Sequence, residues 1–339
     1  MNRALIVQSC GPGTTVQDRG RSGYQYAGLS AGGAADLLAL EEGAALLGQA
    51  PGCAALEFAG MGGIFEADGE IRIALTGAPM RASIEGEPVA WNASHQLYSG
   101  QKLALGNSLR GNYSYLHLGG GVAGVCFLGS RSTHLVARIG GPVVAGQTLP
   151  VGDDPGGETG VTLDVADRFS GGMVRIIPSV QTDQFDGAEL DRLQATQFAR
   201  DPRGNRMGAR MAFQGAPFAA KDQLHLLSEV VVPGDIQVTG DGTPFVLLGE
   251  CQTTGGYPRI ATVIPPDIPM VAQARAGDTI RFRFISRDAA LKIHLAYLGH
   301  LADLPRAVRS LIRDPHDIPD LLSYQLIGGA VAGDEETNS

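Results

Sequence analysis

Short aliphatic and β-branched runs, closed by Gly, Pro, Asp or Asn, recur along most of this chain and predict strands joined by tight turns. Ala4–Val7 opens the series, and Gly62–Phe65, Ile71–Leu75, Pro88–Trp91 and Lys102–Leu105 continue it. A second series begins at Met173–Ile177, resumes after Arg210 with Phe245–Leu248 and Ala261–Ile264, and runs on to Leu298. Helical spacing is confined to Ala34–Leu47 (closed by Gly48), Gly187–Phe198, Leu301–Ile312 and Leu321–Ile327. Strand spacing of this kind argues for antiparallel barrels or sandwiches, so the expected fold is mainly β with a few helices.

Between the two series lie Gly152–Gly157 and Ser170–Gly172, turn formers that read as a linker. They divide the chain into an N-terminal β domain (1–168), a C-terminal β domain (173–300) and a helical extension (301–339) with a frayed acidic end. The two β segments are self-similar. Ser99–Leu105 aligns with Ala276–Phe282, and the same register sets Tyr115–Leu118 on Lys292–Leu295. Upstream, across a short gap, Ile73–Leu75 meets Val246–Leu248. Duplication of one β domain is the economical account. It gives His117 and His294 matching strand positions, which favours a structural role for both.

Composition narrows the function classes. The chain has 339 residues, of which 48 are Gly, about twice the usual share. A net charge of −9 argues against nucleic acid, whose binding needs a concentrated basic surface. Lys102, Lys221 and Lys292 are the only lysines, and none lies in a phosphate or Schiff-base motif. Cys10, Cys53, Cys126 and Cys251 are too widely spaced for a zinc motif and fit a reducing cytoplasm. No signal peptide or membrane span is expected, because the apolar runs are short.

Three glycine-bearing stretches carry candidate chemistry. Gly28-Leu29-Ser30-Ala31-Gly32 matches the G-x-S-x-G pattern, but the residues before it are polar and turn-like, so an N-cap role for Ser30 is favoured over a nucleophile elbow. Gly119-Gly120-Gly121 lacks dinucleotide spacing and reads as a bend where backbones approach. Gly249–Ile260 follows a buried-looking strand and gathers amide, hydroxyl, carboxylate and guanidinium groups around Gly255-Gly256, which permit φ > 0 and close approach.

Gly11–Tyr24, Gly32–Asp36, Leu128–Thr133, Asn205–Arg210 and Gln252–Ile260 together resemble, in order, the motifs of the carboxyltransferase subunit family. That family includes KipA, the C subunit of 5-oxoprolinase and the region of urea carboxylase often labelled allophanate hydrolase subunit 2. The resemblance covers roughly residues 5 to 300. It implies two duplicated cyclophilin-like β-barrel domains, a KipI-like B subunit as partner, and reacting groups near the shared interface. For the 5-oxoprolinase branch it implies a third, lactam-utilisation subunit and ATP-dependent opening of 5-oxoproline to glutamate. For the urea carboxylase branch it implies carboxyl transfer from biotin, and for KipA a regulatory binding role. No motif here binds ATP or biotin, so either would belong to another chain. Glu250-Cys251 departs from the acidic residue and arginine common before this loop, and Arg259 stands where lysine is frequent.

Both family reactions pass through anionic oxygens, which call for preorganised donors. Gln252, Thr253, Thr254, Gly255, Gly256 and Tyr257 supply one set, and Thr14, Thr15, Gln17, Asp18 and Arg21 a second. Asp18, Asp36 or Glu250 would serve as base if burial raised its pKa. Arg131 and Arg206 are candidate anion clamps. Asp18, Gln252 and Glu250 are therefore the expected catalytic groups, the others bind a small amide or lactam, and no metal is expected.

Overall fold

A computed structural model describes residues 3–221 and 227–312. In the N-terminal half two sheets face each other. One runs in the order Thr148–Pro150, Ala4–Cys10, Gly63–Asp68, Lys102–Ser108, Met80–Ile84 and Glu87–Pro88. The other runs Thr15–Gln17, Ala55–Ala59, Tyr113–Leu118, Ile71–Gly77, Ala93–Leu97, Val161–Thr162 and Arg309–Ser310. Alternating inward residues fill the space between them: Leu5, Val7, Phe65, Ala67, Leu103 and Leu105 from the first, with Leu56, Phe58, Ile71, Ile73, Leu75 and Leu116 from the second.

Ile71–Gly77 is buried along its whole length, because helix α1 (Leu37–Leu46) covers its outer face. Ala74 packs against Leu46 and Leu47, and Thr76 Oγ1 donates to Ala39 O at 2.8 Å. A strand covered on both faces reads as a near-continuous apolar run, as this one does.

The C-terminal half is a closed barrel in the order Gly172–Ile177, Arg259–Val263, Asp235–Val238, Pro244–Leu247, Gly208–Ala212, Phe198–Arg200 and Thr279–Phe284. Helices α2 (Gly187–Ala195) and α3 (Ile268–Gln273) attach to it, and α4 (Arg287–Ala307) returns toward α1. The whole is mainly β, as expected. One apolar cluster crosses from half to half, joining Ala34, Leu40, Tyr113 and Tyr115 to Phe198, Ile236, Val246 and Phe282.

Several local expectations are corrected. Arg287–Leu298 is helix rather than strand: Ser286 Oγ caps it by accepting from Ala289 N, and Ala, Leu and Lys dominate its first turns. His117 is therefore on a strand and His294 on a helix, so they are not equivalent. The paired Ser99–Leu105 and Ala276–Phe282 segments do both enter strands. The 150–172 segment, expected as a linker, is docked on the N-terminal half. Asp154, half-buried, pairs with Arg72, and the buried Arg168 reaches Asp36 at 2.7 Å and Glu42 at 2.8 Å. After Ala307 the chain leaves its helix and Arg309–Ser310 adds to the N-terminal sheet. The helix expected at Leu321–Ile327 lies outside the described residues. Gly120 does bend where backbones meet, since a Cβ there would overlap Gly152 O.

Candidate functional site

Asp18 follows the short strand Thr15–Gln17 and is buried. Its carboxylate accepts from Gly20 N (2.8 Å), Ser130 Oγ (2.6 Å), Arg131 N (2.6 Å) and Ser132 Oγ. Burial alone would raise its pKa. Those four donors outweigh it and hold the carboxyl below the usual aspartate value. The condition for a base, a raised pKa, is not met. Asp18 ties the 18–21 loop to the 130–132 loop.

That tie positions Arg21. Its guanidinium is only 2% exposed, and Nη2 donates to Ser132 O at 2.5 Å. Nε points at Phe127 O at 3.4 Å, and Nη1 has no partner. Burial lowers the Arg21 pKa, partly offset by Asp18, but a guanidinium stays charged. Arg21 lines a cavity of about 210 Å³ together with Tyr24, Gln25, Ser30, Cys251 and Gln252. Gln25 Nε2 closes one side by donating to Val231 O at 2.7 Å.

Ser30 is not a helix cap. Asp36 caps α1, its Oδ1 accepting from Ala39 N at 3.1 Å, whereas Ser30 Oγ lies 3.0 Å from His134 Nε2. His134 Nδ1 is 3.7 Å from Glu250 Oε2, so serine, histidine and carboxylate form a row. Ala137 N donates to His134 Nδ1 at 3.2 Å, which makes Nδ1 an acceptor and puts the ring proton on Nε2. Burial lowers the His134 pKa, in keeping with a neutral ring. His134 therefore donates to Ser30 and cannot take its proton, so the row is not a nucleophile triad. No strand precedes Ser30 directly; a 3₁₀ turn, Gln25–Ala27, does. The arrangement leaves the Ser30 hydroxyl proton free to donate into the cavity.

Glu250 is buried and fully engaged. Arg206 Nε donates to it at 2.5 Å, Leu135 N at 3.0 Å and Val136 N at 3.3 Å. Arg206 also donates to Glu57 and to Gly33 O, and Glu57 accepts from Tyr115 Oη (2.7 Å) and Ala35 N (2.8 Å). Its two carboxylate partners outweigh the effect of burial and raise the Arg206 pKa. Asp36 likewise accepts from Arg168 Nε (2.7 Å) and Gln273 Nε2 (2.8 Å). Arg206, Glu250 and Asp36 are thus consumed by a polar network between the halves. They are neither anion clamps nor free bases.

The 252–257 loop is held differently from the expectation. Gln252 is exposed at the cavity, its Nε2 donating to Gln237 Oε1 at 3.0 Å, and Gln237 Nε2 is buried without a partner. Neither Gly255 nor Gly256 has positive φ. Gly255 is small because a Cβ there would overlap Gln237 Nε2. Thr254 and Gly255 pair with Val230 and Glu229, Thr253 O accepts from Val231 N at 3.1 Å, and Tyr257 is exposed.

Of the other candidates, Thr14 Oγ1 donates to Gly11 O, Gln17 Nε2 donates to Thr15 Oγ1 and Thr133 O, and none of the three lines the cavity. Arg131 serves Asp18 through its backbone, and its exposed side chain lies along a separate groove with Val122 and Val143. The structure thus gathers Arg21 and Gln252 at the cavity and adds Ser30 to its lining, with His134 behind Ser30 and Gln237 behind Gln252. Of these additions, only Ser30 stood out in the sequence, through a pattern suggesting other chemistry. Among the described residues, no group of three or more His, Cys, Asp or Glu is arranged to hold a metal, and no helix is long and apolar enough to cross a membrane.

Residues 27–284 match the family model described as carboxyltransferase domain, subdomain A and B. The chain is 35% identical to the C subunit of 5-oxoprolinase from Escherichia coli, covering 85% of this chain and 93% of that one. The protein of the same name from Haemophilus influenzae is 34% identical, at 87% and 95% coverage. Urea amidolyase of Lachancea kluyveri is 26% identical over 86% of this chain, which spans 17% of that enzyme. Among solved structures, TTHA0988 superposes with a TM-score of 0.77 at 30% identity, and the match covers 83% of this chain and 56% of that longer one. Kluyveromyces lactis urea carboxylase shares the fold, with a TM-score of 0.79 at 22% identity, over 92% of this chain and 31% of its own.

Proposed function

The chain belongs to the carboxyltransferase subdomain A and B family, and from that premise we propose that it is the C subunit of a 5-oxoprolinase-type complex. The observation that carries this reading is the near full-length correspondence with two proteins named as that subunit of 5-oxoprolinase. The complex would open the lactam of 5-oxoproline to glutamate at the expense of ATP. A KipI-like B subunit and a lactam-utilisation subunit would supply the parts this chain lacks, the ATP site among them. The reaction breaks the ring C–N bond, the oxygen of water enters the new carboxylate, and the nitrogen leaves as the amine.

This chain's part is to hold anionic oxygen. Arg21 Nη1 and the Ser30 hydroxyl have donors to spare beside the cavity, and Gln252 stands at its edge. Donors fixed before the charge develops stabilise it without reorganisation. No carboxylate described above is free to act as base, so proton abstraction is assigned to another chain of the complex. Tyr26, Phe127 and Val230 are exposed and flank the cavity lining, an apolar rim that the KipI-like chain would cover. We place the complex in the cytoplasm, where its free thiols are stable.

The test is co-purification with the proteins encoded beside it, followed by measurement of glutamate release from 5-oxoproline and ATP. Arg21→Gln should lower turnover by about 10²-fold or more, on the order of one lost oxyanion donor. A complete complex without turnover would overturn the proposal. The urea amidolyase match favours a second reading, biotin-dependent carboxyl transfer. It predicts instead carboxylation of urea when a biotin carboxylase and carrier are supplied.

A further inference from the structure

A second cavity, of about 240 Å³, lies where the two halves meet and shares no residue with the one beside Arg21. Its walls include Ala59, Pro202, Ala274 and Ala276, and Arg200, Tyr113, Asn112 and Asp201 bring polar groups to it. Arg200 is only 6% exposed. Its Nη1 donates to Asp201 O at 2.8 Å, its Nε has no partner, and among the described residues no carboxylate forms an ion pair with it. The neighbouring Asp201 carboxylate is already taken by Arg203 at 2.7 Å and Arg210 at 2.8 Å. The backbone folds closely over this guanidinium, since a Cβ at Gly204 would overlap Nη1.

A buried guanidinium without a counter-charge is costly, and here the uncompensated charge faces a cavity. We propose that this cavity binds a small aliphatic monocarboxylate, with Arg200 as its anchor. One unneutralised cation selects a single negative charge. The Nε edge of a guanidinium offers two parallel N–H groups, which fit one carboxylate side-on. The alanine and proline walls suit a short hydrocarbon body and give a phosphate too few donors. The inference goes beyond the reaction proposed above and does not depend on it.

The experiment is saturation-transfer NMR with propionate on the full chain, comparing wild type with Arg200→Met, Gly204→Ala and Arg21→Met. Saturable transfer in wild type, weakened at least tenfold by Arg200→Met and Gly204→Ala and retained in Arg21→Met, is the expected result. No saturable transfer in wild type, unchanged affinity in Arg200→Met, or loss in Arg21→Met alone would each overturn it. Arg200→Met removes an unpaired buried charge and should melt no lower than wild type, so lost binding would not reflect unfolding. Should it melt below the assay temperature, Arg200→Lys decides, because it keeps the charge and loses the parallel N–H pair. Unchanged affinity there would sink the proposal. Turnover of 5-oxoproline is not measured, so failure of this site and failure of the proposed reaction remain distinguishable.

Discussion

At the scale of single residues, Asp18 and Arg21 divide between them what one polar loop seemed to offer. Asp18 accepts from Ser130, Ser132 and two backbone amides, and its carboxyl is held below the usual aspartate range. A group whose folded pKa is depressed adds stability above its unfolded pKa and loses it as pH falls through the folded value. Asp18 should therefore stabilise the fold at neutral pH, and its contribution should fade below the ordinary value of 3.8. Asp18→Asn, which trades one acceptor oxygen for an amino group, should cost about 2 kcal/mol at pH 7 by urea unfolding. The deficit should shrink toward pH ~2, and a deficit that did not change with pH would contradict this assignment. The sequence made the donors and acceptors of this loop legible, but not their direction. Nothing local to Asp18 announces that the 130–132 loop supplies its partners, and nothing local to Arg21 announces that one nitrogen is left over. Such pairings join positions far apart in the chain and become visible only once the sheets are closed.

At the scale of elements, most strands were legible as apolar runs between turn formers, Ile71–Gly77 the clearest case, whereas of the run Pro88–Trp91 only Pro88 lies in a strand. Helix α4 was legible only from Leu301 onward, because apolar residues at Leu291, Ile293 and Leu295 also alternate with a two-residue period. The cap at Ser286 and the absence of Gly and Pro through its first turns decide it. Helix α1 carries a second lesson at Gly43. In an exposed helix, Gly→Ala would stabilise by about 1 kcal/mol. Here a Cβ would overlap the His117 ring, which is buried and bonded to Thr76 Oγ1 at 2.8 Å. Gly43→Ala should therefore destabilise by about 1–3 kcal/mol, the range of overpacked cores. A Gly43→Ala/His117→Ala double variant should be more stable than the sum of the single changes predicts, in a chemical-denaturation cycle. Strict additivity would mean the helix shifts freely on the sheet.

Across the whole molecule the two halves read in sequence as separate series, yet they share one interior. The apolar cluster that includes Tyr115 and Leu40 continues into the barrel through Ile236 and Phe282. Polar ties follow the same path: Gln273 Nε2 donates to Asp36, Asn112 Nδ2 donates to Ala274 O at 2.6 Å, and Arg206 lies between Glu57 and Glu250. Breaking a buried ion pair on one side leaves carboxylates without a counter-charge, which costs about 3–5 kcal/mol. Arg206→Met should lose stability of that order. Adding Glu57→Gln and Glu250→Gln should recover part of it, because the stranded charges are then gone. Because the ties and the apolar cluster cross the same boundary, calorimetry of the wild-type chain should give one endotherm, with calorimetric and van't Hoff enthalpies in agreement. In Arg206→Met the single transition should move to lower temperature without splitting, since the apolar contacts still bind the halves. Two resolved endotherms in the wild type would show instead that each half unfolds on its own, and that the network at Arg206 joins two finished domains rather than completing one core.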